Sequence, residues 1–243
     1  MLKVAHRGVV QYAPENTLPA FQHAMALGAD MIHIDVHVTS DHVPVVFRDQ
    51  ELRRLTDGRG SITQKTLSQL KTLRVLGREP IPTLQETVDC IGSTGEWYLE
   101  LKGEAAVRPI FEVLWLNRLL DRAIVGSSNL RLIREVKVAA PGLRAAYFAP
   151  HLSLTTMLGA ADAHADYIHL HVGAGSTADH FVSDEMALRL RAARLSVIAW
   201  EDEGPESLDE LRYLGCDPMR DAAFGVPLKV RIELPDLRLG AAD

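Results

Sequence analysis

The stretch Ile32-His33-Ile34-Asp35-Val36-His37-Val38 carries the decision about the fold. Apolar and polar side chains alternate with a period of two, which is the pattern of a β-strand and not of a helix. Ile32, Ile34, Val36 and Val38 share one face, while His33, Asp35 and His37 share the other. The same alternation returns further along the chain. Leu99 and Leu101 stand opposite Tyr98, Glu100 and Lys102, and Ile168, Leu170 and Val172 stand opposite Tyr167, His169 and His171. In a parallel barrel the outer face is apolar because helices cover it. The polar sets must then point inward, towards the carboxyl ends of the strands, where barrel active sites lie. Burying histidines, carboxylates and a lysine is costly unless they meet a ligand or a metal.

Working outward, the strand candidates are 2–6, 31–37, 97–102, 122–126, 143–147, 166–171, 195–200 and about 216–220. Helical periodicity separates most of them, as in Leu18-Phe21-Met25, Leu84-Val88-Ile91, Leu130-Ile133-Val136 and Leu188-Leu190-Ala193. Eight strand–helix units predict an α/β TIM (β/α)8 barrel, with residues 1–243 forming a single domain. The eighth unit carries a turn signal, Gly215-Cys216-Asp217-Pro218. No linker, low-complexity segment or exact repeat divides the chain.

Composition narrows the function classes. Apolar residues make up 47% and charged residues 24%, the profile of a globular enzyme. A net charge of -6 argues against nucleic acid as a partner and requires any anionic substrate to be met by a local cluster of cations. Cys90 and Cys216 are the two cysteines and form no CxxC pair. They predict a reduced, cytoplasmic setting. Met1-Leu2-Lys3-Val4 runs straight into a strand without the apolar core of a signal peptide, and no window is apolar enough for membrane insertion.

The motifs are more specific. Val4-Ala5-His6-Arg7-Gly8 followed by Ala13-Pro14-Glu15-Asn16-Thr17-Leu18 resembles the opening of the glycerophosphodiester phosphodiesterases. The likeness continues through Phe21, Gly28-Ala29-Asp30, Ile34-Asp35-Val36, Pro44-Val45-Val46 and Asp49, then Ile81-Pro82-Thr83-Leu84 and Leu99-Glu100-Leu101-Lys102. It is dense over the first hundred residues and looser afterwards, through Ser127-Ser128, Pro141-Gly142-Leu143 and Trp200. The resemblance implies a phosphoric diester hydrolase of glycerophospholipid metabolism. Such an enzyme cleaves small glycerophosphodiesters to an alcohol and glycerol 3-phosphate with one divalent metal ion.

On that resemblance His6, at the end of the first strand, is a proton carrier. Arg7 presents a planar fork to phosphate. Asp35 and Glu100 are the carboxylate pair for a hard cation, with Glu15 as a further oxygen donor. Lys102 either neutralises a phosphate oxygen or pairs with Glu100. Asn16 or Thr17 either caps the helix starting near Leu18 or contacts substrate. Trp200 either borders the organic part of the substrate or packs.

Two positions depart from the family pattern. His33 stands where the family has its first metal-binding carboxylate. The change keeps a ligand but moves the preference from Mg²⁺ or Ca²⁺ towards Mn²⁺, Zn²⁺ or Fe²⁺. Arg48 stands where the family has its second catalytic histidine. Arginine can stabilise phosphoryl charge but cannot shuttle a proton. His37, His42, His169 and His171 are replacements for it, or else they hydrogen-bond within the barrel. The alternative reading is a catalytically impaired barrel that binds a phosphodiester or phosphorylated metabolite. A phospholipase D-like enzyme acting on lysophospholipids is the third. Trp200-Glu201-Asp202-Glu203 forms an acidic rim that suits a cationic head group such as choline or ethanolamine, unless these acids cap a helix near Ser207.

Overall fold

Strand alternation builds the molecule as read. A computed structural model describes residues 4–92, 95–103, 107–172, 184–201, 216–219 and 229–232. In chain order the strands are β1 (Val4–His6), β2 (Met31–Val38), β3 (Pro44–Val46), β4 (Glu96–Leu101), β5 (Ala123–Ser127), β6 (Arg144–Ala149), β7 (Tyr167–Val172), β8 (Ser196–Glu201), β9 (Cys216–Met219) and β10 (Lys229–Ile232). The α-helices are α1 (Leu18–Ala26), α2 (Leu67–Lys71), α3 (Leu84–Ile91), α4 (Val107–Leu116), α5 (Leu130–Ala139), α6 (Leu154–Asp162) and α7 (Asp184–Ala192). Strands β1, β2, β4, β5, β6, β7 and β8 follow one another in the sheet, each parallel to the next.

The two faces separate as the period of two requires. Ile32, Ile34, Val36, Leu99, Leu101 and Val125 pack outward against Phe21, Leu84, Leu114 and Ile133 of the helices. Burial of each such side chain stabilises the fold by about 1.5–3 kcal/mol. Inward, every one of the seven parallel strands gives one residue to a plug: Val4, Met31, Tyr98, Ile124, Ala146, Tyr167 and Ile198. This layer closes the barrel floor and forms the platform on which the polar residues stand.

Local signals explain the helices. Thr83 and Glu86 make a reciprocal capping box at the start of α3, and Gly92 ends that helix at φ 73°. Asn129 caps α5, whose buried face is Leu132, Ile133 and Val136. In α7, Leu190 is buried but Leu188 is exposed. The expected Leu188-Leu190 face therefore fails, because residues two apart on a helix point in different directions.

Two further features depart from expectation. The segment near 216–220 is not an eighth parallel strand. Its β9 pairs antiparallel with β10, which pairs antiparallel with β8. Pro218 cannot donate to a ladder and suits the outermost position that β9 takes. The excursion between β2 and α3 is a small lobe with a core of its own, built from Val45, Phe47, Leu52, Leu55, Ile62, Leu70, Val75 and Ile81. β3, antiparallel to the far end of β2, ties this lobe to the barrel mouth.

Candidate active site

The site begins at the turn that ends β1. Arg7 and Gly8 take positive φ of 60° and 82°, which folds the chain sharply back across the barrel mouth. Only glycine fits at position 8: an added Cβ would stand 2.6 Å from the Ala20 backbone. Arg7 N–H still donates to His33 O at 2.9 Å, so the turn stays registered on β2. The return of the loop is pinned where Asn16 N–H donates to Arg7 O at 3.0 Å.

Asn16 and Thr17 do not cap α1. Thr17 Oγ1 donates to Pro14 O at 2.6 Å, and no side-chain cap bond forms. Asn16, at φ 57°, instead grips Asp35: its Nδ2 donates to Oδ2 at 2.8 Å and its Oδ1 accepts from Asp35 N–H at 3.3 Å. Asn tolerates left-handed backbone, which lets a loop residue reach into the barrel.

Asp35 is the electrostatic centre. It is 0% exposed, with Arg7 Nε at 2.8 Å from Oδ2 and Lys102 Nζ at 3.0 Å from Oδ1. Burial alone would raise its pKa, but the charges of Lys102 and Arg7, with the Asn16 hydrogen bond, hold it below the usual carboxylate value. Lys102 also pairs with Glu100, the second of the two roles its position allowed, so one ammonium bridges both carboxylates. His33 Nε2 lies 3.5 Å from Glu100 Oε2. Ligand atoms of His33, Asp35 and Glu100 all lie within 4.8 Å of one another, a group able to hold a metal ion. The bridging position of the Lys102 ammonium marks the space between these carboxylates as one suited to positive charge.

Glu15 is not gathered into this trio. Its carboxylate accepts from Arg54 Nη2 at 2.6 Å and lies 3.7 Å from Arg7 Nη1. Two guanidinia claim the oxygens that were expected to face a cation. Arg54 also pairs with Asp49. Charges thus alternate along Glu100, Lys102, Asp35, Arg7, Glu15, Arg54 and Asp49, linking β4 to the small lobe.

A cavity of about 590 Å³ opens over these groups, lined by His6, Arg7, His33, Arg48, Glu100, Lys102, Phe148 and His169 among others. Arg48 reaches it from the lobe, and His37 holds the arginine's backbone from below, with Nε2 3.2 Å from Arg48 O. Burial lowers the pKa of His37, although its hydrogen bond to Arg48 works the other way. His37 is therefore a neutral prop under Arg48 and is not among the residues lining the cavity. His6 and His33 pack ring to ring at 4.9 Å, and His33 meets Tyr98 edge-on at 5.2 Å. Tyr98 Oη lies 2.6 Å from His169 Nδ1. The Tyr98 phenol is pushed well above its ordinary pKa by burial and then by the Glu100 charge. The side chains of His171 and Trp200, and the rim at 202–203, lie outside the described residues; His171 and Trp200 are register partners on β7 and β8.

Sequence reading missed Tyr98, Phe148 and Gly126. The inward parity of Tyr98 was the available signal, whereas nothing local marks the other two.

The family model for the glycerophosphoryl diester phosphodiesterase family matches residues 6–220. The chain belongs to this family. Glycerophosphodiester phosphodiesterase family members supply its likenesses. A glycerophosphodiester phosphodiesterase of Caldanaerobacter subterraneus is 35% identical over 156 residues, covering 59% of this chain and 64% of the relative. The chain thus spans less than two thirds of the length of the curated relatives it matches. A phosphodiesterase from Oleispira antarctica, solved with the product sn-glycerol-3-phosphate, aligns with TM-score 0.76 and 26% identity over 91% of this chain and 93% of that one. A Thermotoga maritima glycerophosphodiester phosphodiesterase aligns with TM-score 0.69 and 24% identity over 87% of this chain and 91% of that one, which speaks for the fold. The fold is the α/β TIM barrel that the strand alternation predicted.

Proposed function

We propose that this chain hydrolyses glycerophosphodiesters to an alcohol and glycerol 3-phosphate in a metal-dependent reaction. The observation that carries this reading is the cavity itself. His6, Arg7, Arg48 and Lys102 line it together with His33 and Glu100, in a chain of this family. The net charge is -6, so three cationic side chains at one opening form a local anion site against the global field. Arg7 and Arg48 offer forks to the phosphoryl oxygens, and Lys102 a point charge. His6, at the rim of the same cavity, exchanges a proton with the attacking oxygen. A divalent ion held by His33, Asp35 and Glu100 would neutralise phosphoryl charge as a Lewis acid. The carboxylate pair suits Mg²⁺ or Ca²⁺, and the imidazole of His33 favours Mn²⁺ or Zn²⁺. The product held by the Oleispira antarctica relative supports the product class.

Among the described residues no helix is long and apolar enough to cross a membrane. A cytoplasmic location is part of this reading, supported by the two unpaired-motif cysteines in the sequence. Trp200, His169 and His171 belong to it as substrate contacts.

Arg48 favours a second reading, a barrel that binds a phosphodiester without cutting it. The deciding experiment is a metal panel against glycerophosphocholine and bis(p-nitrophenyl) phosphate, with His6→Ala and Arg48→His beside the wild type. Turnover lost in His6→Ala supports hydrolysis. An inert wild type together with an active Arg48→His selects the binding protein.

A further inference from the structure

An alkyl phosphodiester cannot be cut efficiently unless its departing alkoxide receives a proton, and the guanidinium of Arg48 does not give one up at working pH. We infer that His169 is the general acid and that Tyr98 is the residue that positions it. This rests on the hydrolytic reading above.

His169 projects from β7 into the cavity that His6 and Arg7 line, yet it is only 4% exposed. Its ring is held on two sides. Tyr98 Oη is 2.6 Å from Nδ1, and the Phe148 ring lies 4.3 Å away, itself stacked on Tyr98 at 5.9 Å. Gly126 makes room for this bracket. A Cβ there would stand 2.6 Å from Phe148 Cε2 and 3.1 Å from Tyr98 Cε2. Side chains from β4 and β6, and a missing one on β5, thus combine to orient a single imidazole. Anchoring one ring nitrogen assigns the other its task, the device by which proteins set histidine roles. With Nδ1 on Tyr98, Nε2 is the atom that serves the cavity.

Placement agrees with the reaction. Successive ring centroids link His6 to His33 at 4.9 Å, His33 to Tyr98 at 5.2 Å and Tyr98 to His169 at 5.6 Å. His6 and His169 end this chain of contacts, on the separate strands β1 and β7, and both line the cavity. Displacement at phosphorus puts the attacking and leaving oxygens roughly in line, so base and acid belong on opposite sides. As the water oxygen bonds to phosphorus, His6 takes the water proton. The bond from phosphorus to the alcohol oxygen breaks with its electron pair on oxygen, and Nε2–H of the His169 imidazolium supplies the proton. His169 is left neutral, with Nδ1–H donating to Tyr98 Oη. Solvent then deprotonates His6 and reprotonates His169.

The test uses the leaving group. p-Nitrophenolate departs without a proton and choline alkoxide does not. We compare kcat on glycerophosphocholine and bis(p-nitrophenyl) phosphate for wild type, His169→Gln and Tyr98→Phe. His169→Gln is expected to slow the choline ester by about 10²–10⁴-fold, with a much smaller loss on the nitrophenyl ester. Tyr98→Phe keeps the ring packing and is expected to show the same selectivity with a smaller loss. Equal losses on both esters, or no loss on either, overturn the assignment. If His169→Gln shows no cooperative unfolding, Tyr98→Phe decides by the same criterion. A wild type inert on both esters removes the hydrolytic reading and this inference together; an active wild type with uniform losses removes this inference alone.

Discussion

Replacing Gly126 by alanine adds one methyl group at a crowded point of the barrel interior. Its carbon would stand 2.6 Å and 3.0 Å from two Phe148 ring atoms and 3.1 Å from a Tyr98 ring atom. Carbon atoms rest at about 3.5–4.0 Å, so Phe148 must retreat by roughly 1 Å. Phe148 borders the cavity and can tilt; Tyr98 is 1% exposed and has nowhere to go. Overpacking of this kind costs about 1–3 kcal/mol, offset by the roughly 0.5–1 kcal/mol that alanine gains over glycine within a strand. At mid-range values the net loss is about 1.25 kcal/mol. In a protein of this size that lowers Tm by about 2.5–5 °C, since each kcal/mol is worth about 2–4 °C. Urea and thermal unfolding of Gly126→Ala read the effect directly. Gly142→Ala is the control, because a Cβ there meets nothing within 4 Å. Gly126→Ala as stable as wild type would refute the packing account of the bracket.

Two further outcomes follow from the electrostatics. Asp35→Asn strips Arg7 and Lys102 of their shared anion; their side chains are 14% and 20% exposed, so water recovers part of the loss. The expected cost is about 2–4 kcal/mol, at or below the usual figure for a broken buried pair. The variant should also lose the metal-induced rise in Tm, worth about 2.7 kcal/mol at a hundred times Kd; a rise that persists would exclude Asp35 from the metal set. His37 has a pKa lowered by burial, so the unfolded chain binds its proton first as pH falls. Its contribution is complete above the unfolded value of about 6.5 and is lost as pH drops through the lower folded one. Urea midpoints between pH 7 and 5 should therefore fall more steeply for wild type than for His37→Phe, and parallel curves would contradict the neutral prop under Arg48.

Parity on β2, β4 and β7 was readable because a strand period of two is a purely local property. It assigned His33, Asp35, Glu100, Lys102 and His169 to the interior without any tertiary information. The segment His6-Arg7-Gly8 was legible through its resemblance to the family's opening motif, whereas its positive φ values emerge only in the fold. Partner choice is another matter. Asn16 reads as a helix cap by position, yet it grips Asp35, 19 residues away, because the loop folds back onto β2. Glu15 reads as a metal ligand, yet Arg54, 39 residues on, takes its carboxylate. The seat of His169 depends on Gly126 and Phe148 from other strands. Pro218 reads as part of a turn, yet it lies in the outermost strand, which only the sheet order shows. A side chain's direction follows from its own backbone, so sequence alone determined which face of its strand each of these residues takes. Which of them share a charge, a proton or a space is a matter of distance between strands, and only the folded sheet decides it.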